Sequence, residues 1–146
     1  MGIAAALLAE YNNVVATRNW ITNQLLVANN KYTANAEVLS KLQEYDKKYQ
    51  DYIEDAMDGK ELKYHGEILN AKDCCCSRAV AEEIAAAMVP QYDENRLQVC
   101  MDTDTFYETL TNTLKAQEEM YKANEQYIKS ELDAAAQDGG STGGGG

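Results

Sequence analysis

Thiols and imidazole have the most chemistry to offer in this sequence. There is one histidine, His65, and there are four cysteines: Cys74, Cys75, Cys76 and Cys100. A structural zinc site needs four converging ligands, and the set to draw on is His65, Cys74, Cys76 and Cys100. Their spacing contains no C-x-x-C or H-x-x-x-H unit. The reading is therefore no metal and no cofactor, with the thiols as small buried hydrophobes, the usual fate of free cysteine. The competing reading is a reactive thiol. With Asp73 as N-cap, Cys74–Cys76 would sit at a helix N-terminus near Arg78, a setting that lowers thiol pKa. No motif ties His65 to these thiols, and nothing suggests an oxyanion hole. Adjacent cysteines also make a poor disulfide framework, since helical neighbours point about 100° apart.

Carboxylates are no more suggestive. Glu54/Asp55, Glu82/Glu83 and Glu118/Glu119 are sequence neighbours, and neighbours on a helix do not converge. Asp102, Asp104 and Glu108 lack the twelve-residue calcium-loop pattern with its central glycine. No Gly-rich phosphate cradle, G-x-S-x-G or H-E-x-x-H unit occurs. The sequence predicts no catalytic residue and no enzyme.

The elements that would carry any site are helical. The one proline is Pro90, and before the closing GGSTGGGG run the glycines are Gly2, Gly59 and Gly66. Ala, Leu, Glu, Lys and Gln are plentiful, and these lose little entropy in a helix. From residue 3 to 57 a seven-residue repeat places Leu7, Val14, Ile21, Ala28, Asn35, Leu42, Tyr49 and Ala56 at one position. Four residues on stand Tyr11, Arg18, Leu25, Tyr32, Leu39, Asp46 and Ile53. Such a repeat favours left-handed supercoiling against a partner helix. The helix would be on the order of 80 Å long at 1.5 Å per residue. Asn35, Arg18 and Asp46 are the polar exceptions. Asn35 can fix register, while Arg18 and Asp46 can reach out of the seam by their stems or pair with groups on the partner; the alternative for all three is a local bend or solvated stretch.

Gly59 should end this helix in the left-handed C′ conformation. Residues 60–72 read as a loop, with a short strand or helical turn as an option. Asp73 is the expected cap of a helix over 74–88, with an Ala-rich face of Ala81, Ala85, Ala86 and Ala87. Residues 90–102 read as a connector. Thr105-Phe-Tyr-Glu108 fits a capping box for a last helix over 104–136. In that helix Tyr107, Leu114, Tyr121, Ile128 and Ala135 repeat by sevens, with Phe106, Thr113, Met120 and Tyr127 beside them. Gln117, Asn124 and Glu131 are taken as the interleaved sites. Glu118→Lys122 and Glu125→Lys129 have the favoured i,i+4 orientation. Residues 139–146 are expected to be flexible coil.

The fold class predicted is all-α: one domain over 1–138, a long antiparallel helical hairpin or coiled coil with a short third helix. A first helix of about 55 residues against a last one of about 32 would leave part of the first uncovered, which argues for self-association. The candidate interface is the apolar seam itself: Leu7, Tyr11, Val14, Ile21, Leu25, Tyr32, Asn35, Leu39, Leu42, Tyr49 and Ile53, with Tyr107, Leu114, Tyr121 and Ile128.

The net charge is −11, which repels phosphate and disfavours nucleic acid and anionic membranes. It is uneven: residues 1–40 hold Glu10, Arg18, Lys31 and Glu37 and sum to zero. The apolar run Ile3–Ala9 is too short to span a bilayer. Met1-Gly2 is not a myristoylation start, because Ala6 stands where Ser or Thr is required. Cytoplasmic synthesis is the expectation, with export lacking a signal peptide, or incorporation in a particle, as the alternatives.

The Ala-rich start MGIAAALLAEYNNVV, the long first helix and the closing run FYETLTNTLKAQEEMYKANEQYIKSEL resemble small helical subunits of bacterial secretion or flagellar-type machines and of phage particles. The resemblance is one of helical texture, and no functional residue follows from it. It implies a structural or assembly subunit, a homo-oligomer or part of a larger assembly, with protein as its partner. The alternative is an acidic helical adaptor or chaperone, and after it a thiol-dependent or metal-binding protein.

Overall fold

The computed structural model describes residues 2–60, 62–64, 67–69 and 77–145. In chain order the elements are α1 (Ile3–Asp58), β1 (Leu62–Tyr64), β2 (Glu67–Leu69), α2 (Arg78–Met88) and α3 (Glu94–Gly145). The fold is all-α, a long helix pair with a shorter third helix. β1 and β2 add a small antiparallel ribbon with Lys63 opposite Ile68. His65, Asp73 and Cys74–Cys76 lie outside the described residues.

Local chemistry explains most of the boundaries. No Gly or Pro interrupts α1. It stops at Gly59, whose φ of 90° suits a residue without Cβ. The Lys60 N–H then donates to the Asp55 carbonyl at 3.0 Å, the closing bond of a Schellman turn. α2 starts later than its sequence suggests. Its N-cap is Ser77, whose Oγ accepts from the Val80 N–H; the cap expected at Asp73 lies outside the described residues. Val89 ends α2, and Pro90 occupies the second position of a turn closed by the Tyr92 N–H on the Val89 carbonyl at 3.1 Å, where its fixed φ is accommodated.

α3 departs furthest from expectation. Asp93 caps it, with Oδ1 accepting from the Arg96 N–H at 3.0 Å, so the helix begins at Glu94 and not at 104. The 90–102 connector is therefore mostly helix. The Thr105 hydroxyl caps nothing; it donates to the Met101 carbonyl one turn back at 3.2 Å, a mid-helix bond open to any Thr. At the other end α3 continues to Gly145, where coil is expected over 139–146. Each interior glycine costs about 1 kcal/mol relative to alanine, and nothing in the composition explains the continuation. At 52 residues α3 is nearly as long as the 56-residue α1, so the length mismatch expected from sequence is small.

The chain forms two compact units, Met1–Tyr32 with Phe106–Gly146, and Thr33–Thr105. In the first unit α1 and α3 run antiparallel, since Arg18 meets Glu125 and Thr22 meets Glu118. Its core gathers Ile21, Leu25, Ala28 and Leu114, with Leu110 and Tyr121 against them. In the second unit the core joins Ile53 and Ala56 of α1, Leu62 of β1, and Ala81, Ile84 and Ala85 of α2. Ala81 and Ala85 share one face with Ile84, and their small side chains permit close approach. Ala86 and Ala87, assigned to the same face by sequence, are exposed. Burying a side chain such as Ile53 contributes about 1.5–3 kcal/mol.

Candidate functional site

All fifteen heptad positions of α1 are buried or half-buried, Asn35, Arg18 and Asp46 included. The seam candidates Leu7, Tyr11, Val14, Ile21, Leu25, Tyr32, Leu39, Leu42, Tyr49 and Ile53 thus turn inward. So do Tyr107, Leu114, Tyr121 and Ile128 of α3. The sites interleaved with these on α3 are Thr111, Glu118, Glu125 and Leu132, all buried or half-buried. Gln117, Asn124 and Glu131, taken as those sites from sequence, are exposed. The step from Tyr107 to its seam neighbour is four residues, as on α1, and not three.

Polar groups in this seam have partners. The Arg18 guanidinium pairs with Glu125. The Thr22 hydroxyl donates to Glu118 Oε2 at 2.7 Å, and Lys122 reaches Glu118 Oε1 at 3.2 Å. These two bonds hold the Glu118 carboxyl below its ordinary pKa, Thr22 contributing most. Glu125 pairs with Arg18 across the helices and not with Lys129 along its own helix, the pair its spacing suggested. Thr111, 1% exposed, donates to the Glu108 carbonyl at 3.0 Å. In the second unit Asn35 reaches Cys100, which is a buried free thiol. There too the rings of Tyr49 and Tyr92 stack at 3.8 Å and 10°. Both phenols have raised pKa values, chiefly through burial.

The surface beside the seam holds what the sequence did not reveal. In the first unit Trp20 and Phe106 are each 60% exposed, and both line a groove of about 280 Å³. Ala28 and Leu114 form its buried floor, Val27 adds to its apolar wall, and Gln24 and Lys31 stand at its lip. Phe106 rests edge-on against Tyr107 with ring centroids 5.3 Å apart. Trp20 and Val27 each precede a seam residue, as Phe106, Met120 and Tyr127 do on α3. Met120 and Tyr127 are exposed as well. A one-residue offset repeated on both helices thus leaves large apolar side chains outside the seam. Recognising the groove from sequence requires the register between α1 and α3, which no motif encodes.

The first unit also has a polar hollow of about 260 Å³ lined by Tyr11, Arg18, Lys122, Glu125, Gln126 and Lys129. Of its three cations, Arg18 and Lys122 are already paired with carboxylates. Among the described residues no three His, Cys, Asp or Glu side chains are placed to hold a metal ion, and no helix is long and apolar enough to cross a membrane. No family model, curated protein or solved structure matches the chain.

Proposed function

We propose that the chain is a non-enzymatic structural or assembly subunit, of the secretion-machine or virion type, that associates with its own copies by coiled-coil-like helix packing. The observation that carries this reading is the exposed groove walled by Trp20, Val27 and Phe106. Scattered surface hydrophobes need no explanation, but Trp20 and Phe106 share one groove, and exposed aromatics gathered at one spot favour a contact surface. Tryptophan in particular dominates interface energetics when covered. Since the α1 seam is occupied within the chain, association falls to the flanks of the helix pair. Light scattering coupled to size exclusion over a concentration series tests this. A mass rising with concentration to a multiple of 16.2 kDa supports it, and a mass fixed at one chain throughout refutes it.

A second reading, an acidic adaptor for a basic client, draws on a different observation. Residues 33–105 hold 16 acids and 8 bases, against 8 and 5 in the rest of the chain. Salt-sensitive binding of a lysine-rich peptide, with no self-association, would favour it.

A further inference from the structure

The two halves of α1 present opposite kinds of surface. Between residues 41 and 58 the exposed positions are mostly charged: Lys41, Glu44, Lys47, Lys48, Asp51, Glu54 and Asp58. Between residues 11 and 30 no exposed position is charged. The single charge there, Arg18, is half-buried and committed to Glu125. In its place stand exposed amides, among them Asn12, Asn19, Asn23 and Asn30, interspersed with Trp20 and Leu26. A solvent-facing helix gains solubility from charge. A stretch of this length that forgoes it, in a chain one quarter charged, shares the charge depletion of an interface core, with Trp20 as its aromatic.

We propose that this uncharged face of α1, together with the adjoining Trp20–Phe106 groove, is the surface on which a second copy of the chain seats. The proposal rests on the self-association reading and gives it a location. Two arguments select a second copy over another occupant. Each chain carries −11, so two copies repel, and repulsion is least along the 11–30 stretch of α1, whose exposed positions carry no charge, with Lys31 at the lip of the groove adding a positive one. Each Asn side chain also offers both donors and an acceptor, so the face can bond to its own duplicate, as an isologous contact requires. A basic client would find no counter-charge there.

The test compares the full chain with Asn23→Glu, with Trp20→Glu/Asn23→Glu, and with Gln50→Glu on the charged half as control. All three positions are exposed, and circular dichroism of each variant, compared with the parent, checks that helicity is kept. Sedimentation equilibrium should show the parent and Gln50→Glu associating alike. Asn23→Glu should raise the dissociation constant at least tenfold, and the double variant should be monomeric throughout. If both face variants associate as the parent does, the location is wrong while self-association stands. If the parent itself is monomeric throughout, both proposals fall and the face belongs to a different protein.

Discussion

Asn35 and Cys100 hold each other through backbone and side chain together. The Asn35 amide donates to the Cys100 carbonyl at 3.0 Å, and the Cys100 thiol lies 3.3 Å from Asn35 Oδ1 in return. A polar residue in an apolar seam costs stability yet can select one register. Here the register it selects brings a carbonyl of the last helix within reach of its amide.

Asn35→Ala should therefore lower stability by about 1 kcal/mol, the net worth of one such hydrogen bond, read as a shift in urea midpoint with an unchanged slope. The same change should speed alkylation of Cys100, which is 6% exposed, as followed by peptide mapping. Equal midpoints and equal alkylation rates in parent and variant would show that the pair contributes nothing.

Ala85 and Ala86 differ in burial as sharply as neighbours can. Ala85 is 0% exposed and Ala86 faces solvent. Ala85→Leu forces added methylenes into a closed contact and should cost about 1–3 kcal/mol. Ala86→Leu should stay within about 0.5 kcal/mol of the parent. Thermal melts of the two variants measure the contrast, and similar melting would overturn the packing assigned to α2.

The Glu118 carboxyl has a lower pKa folded than unfolded, first through Thr22 and then through Lys122. In the window between the two values the unfolded chain binds more protons, so stability rises with pH there. The contribution is complete above the unfolded value, about 4.3 for Glu, and is lost as pH falls through the folded one. Thr22→Val removes the larger cause. Its Glu118 should titrate at higher pH by carboxyl NMR, and its stability should depend less steeply on pH below neutrality. An unmoved Glu118 titration would remove Thr22 from this role.

Legibility followed the chemistry of each seam. The stripe through Ile21, Leu25 and Ile53 could be read directly, because apolar residues repeat there without a slip. The capping glycine at Gly59 was legible for an equally local reason. On α3 the stripe through Tyr107, Leu114, Tyr121 and Ile128 was equally legible, but the positions interleaved with it were hidden by their own polarity. Thr111, Glu118 and Glu125 look like surface residues until Arg18 and Thr22 stand opposite them. The capping box at Thr105 hid the start of α3; Asp93 caps it instead, and the added turns carry half-buried Leu97 and buried Cys100. Trp20 and Phe106 stand 86 positions apart in sequence, and their common groove exists only once the helices are aligned.

Trp20 is the chain's sole tryptophan, and its indole stands in water on the wall of the groove. The molecule thus carries a native optical reporter at one spot. Any occupant that shuts out solvent there will blue-shift the emission with no dye attached, while events around Tyr49 and Tyr92 pass largely unseen in that signal.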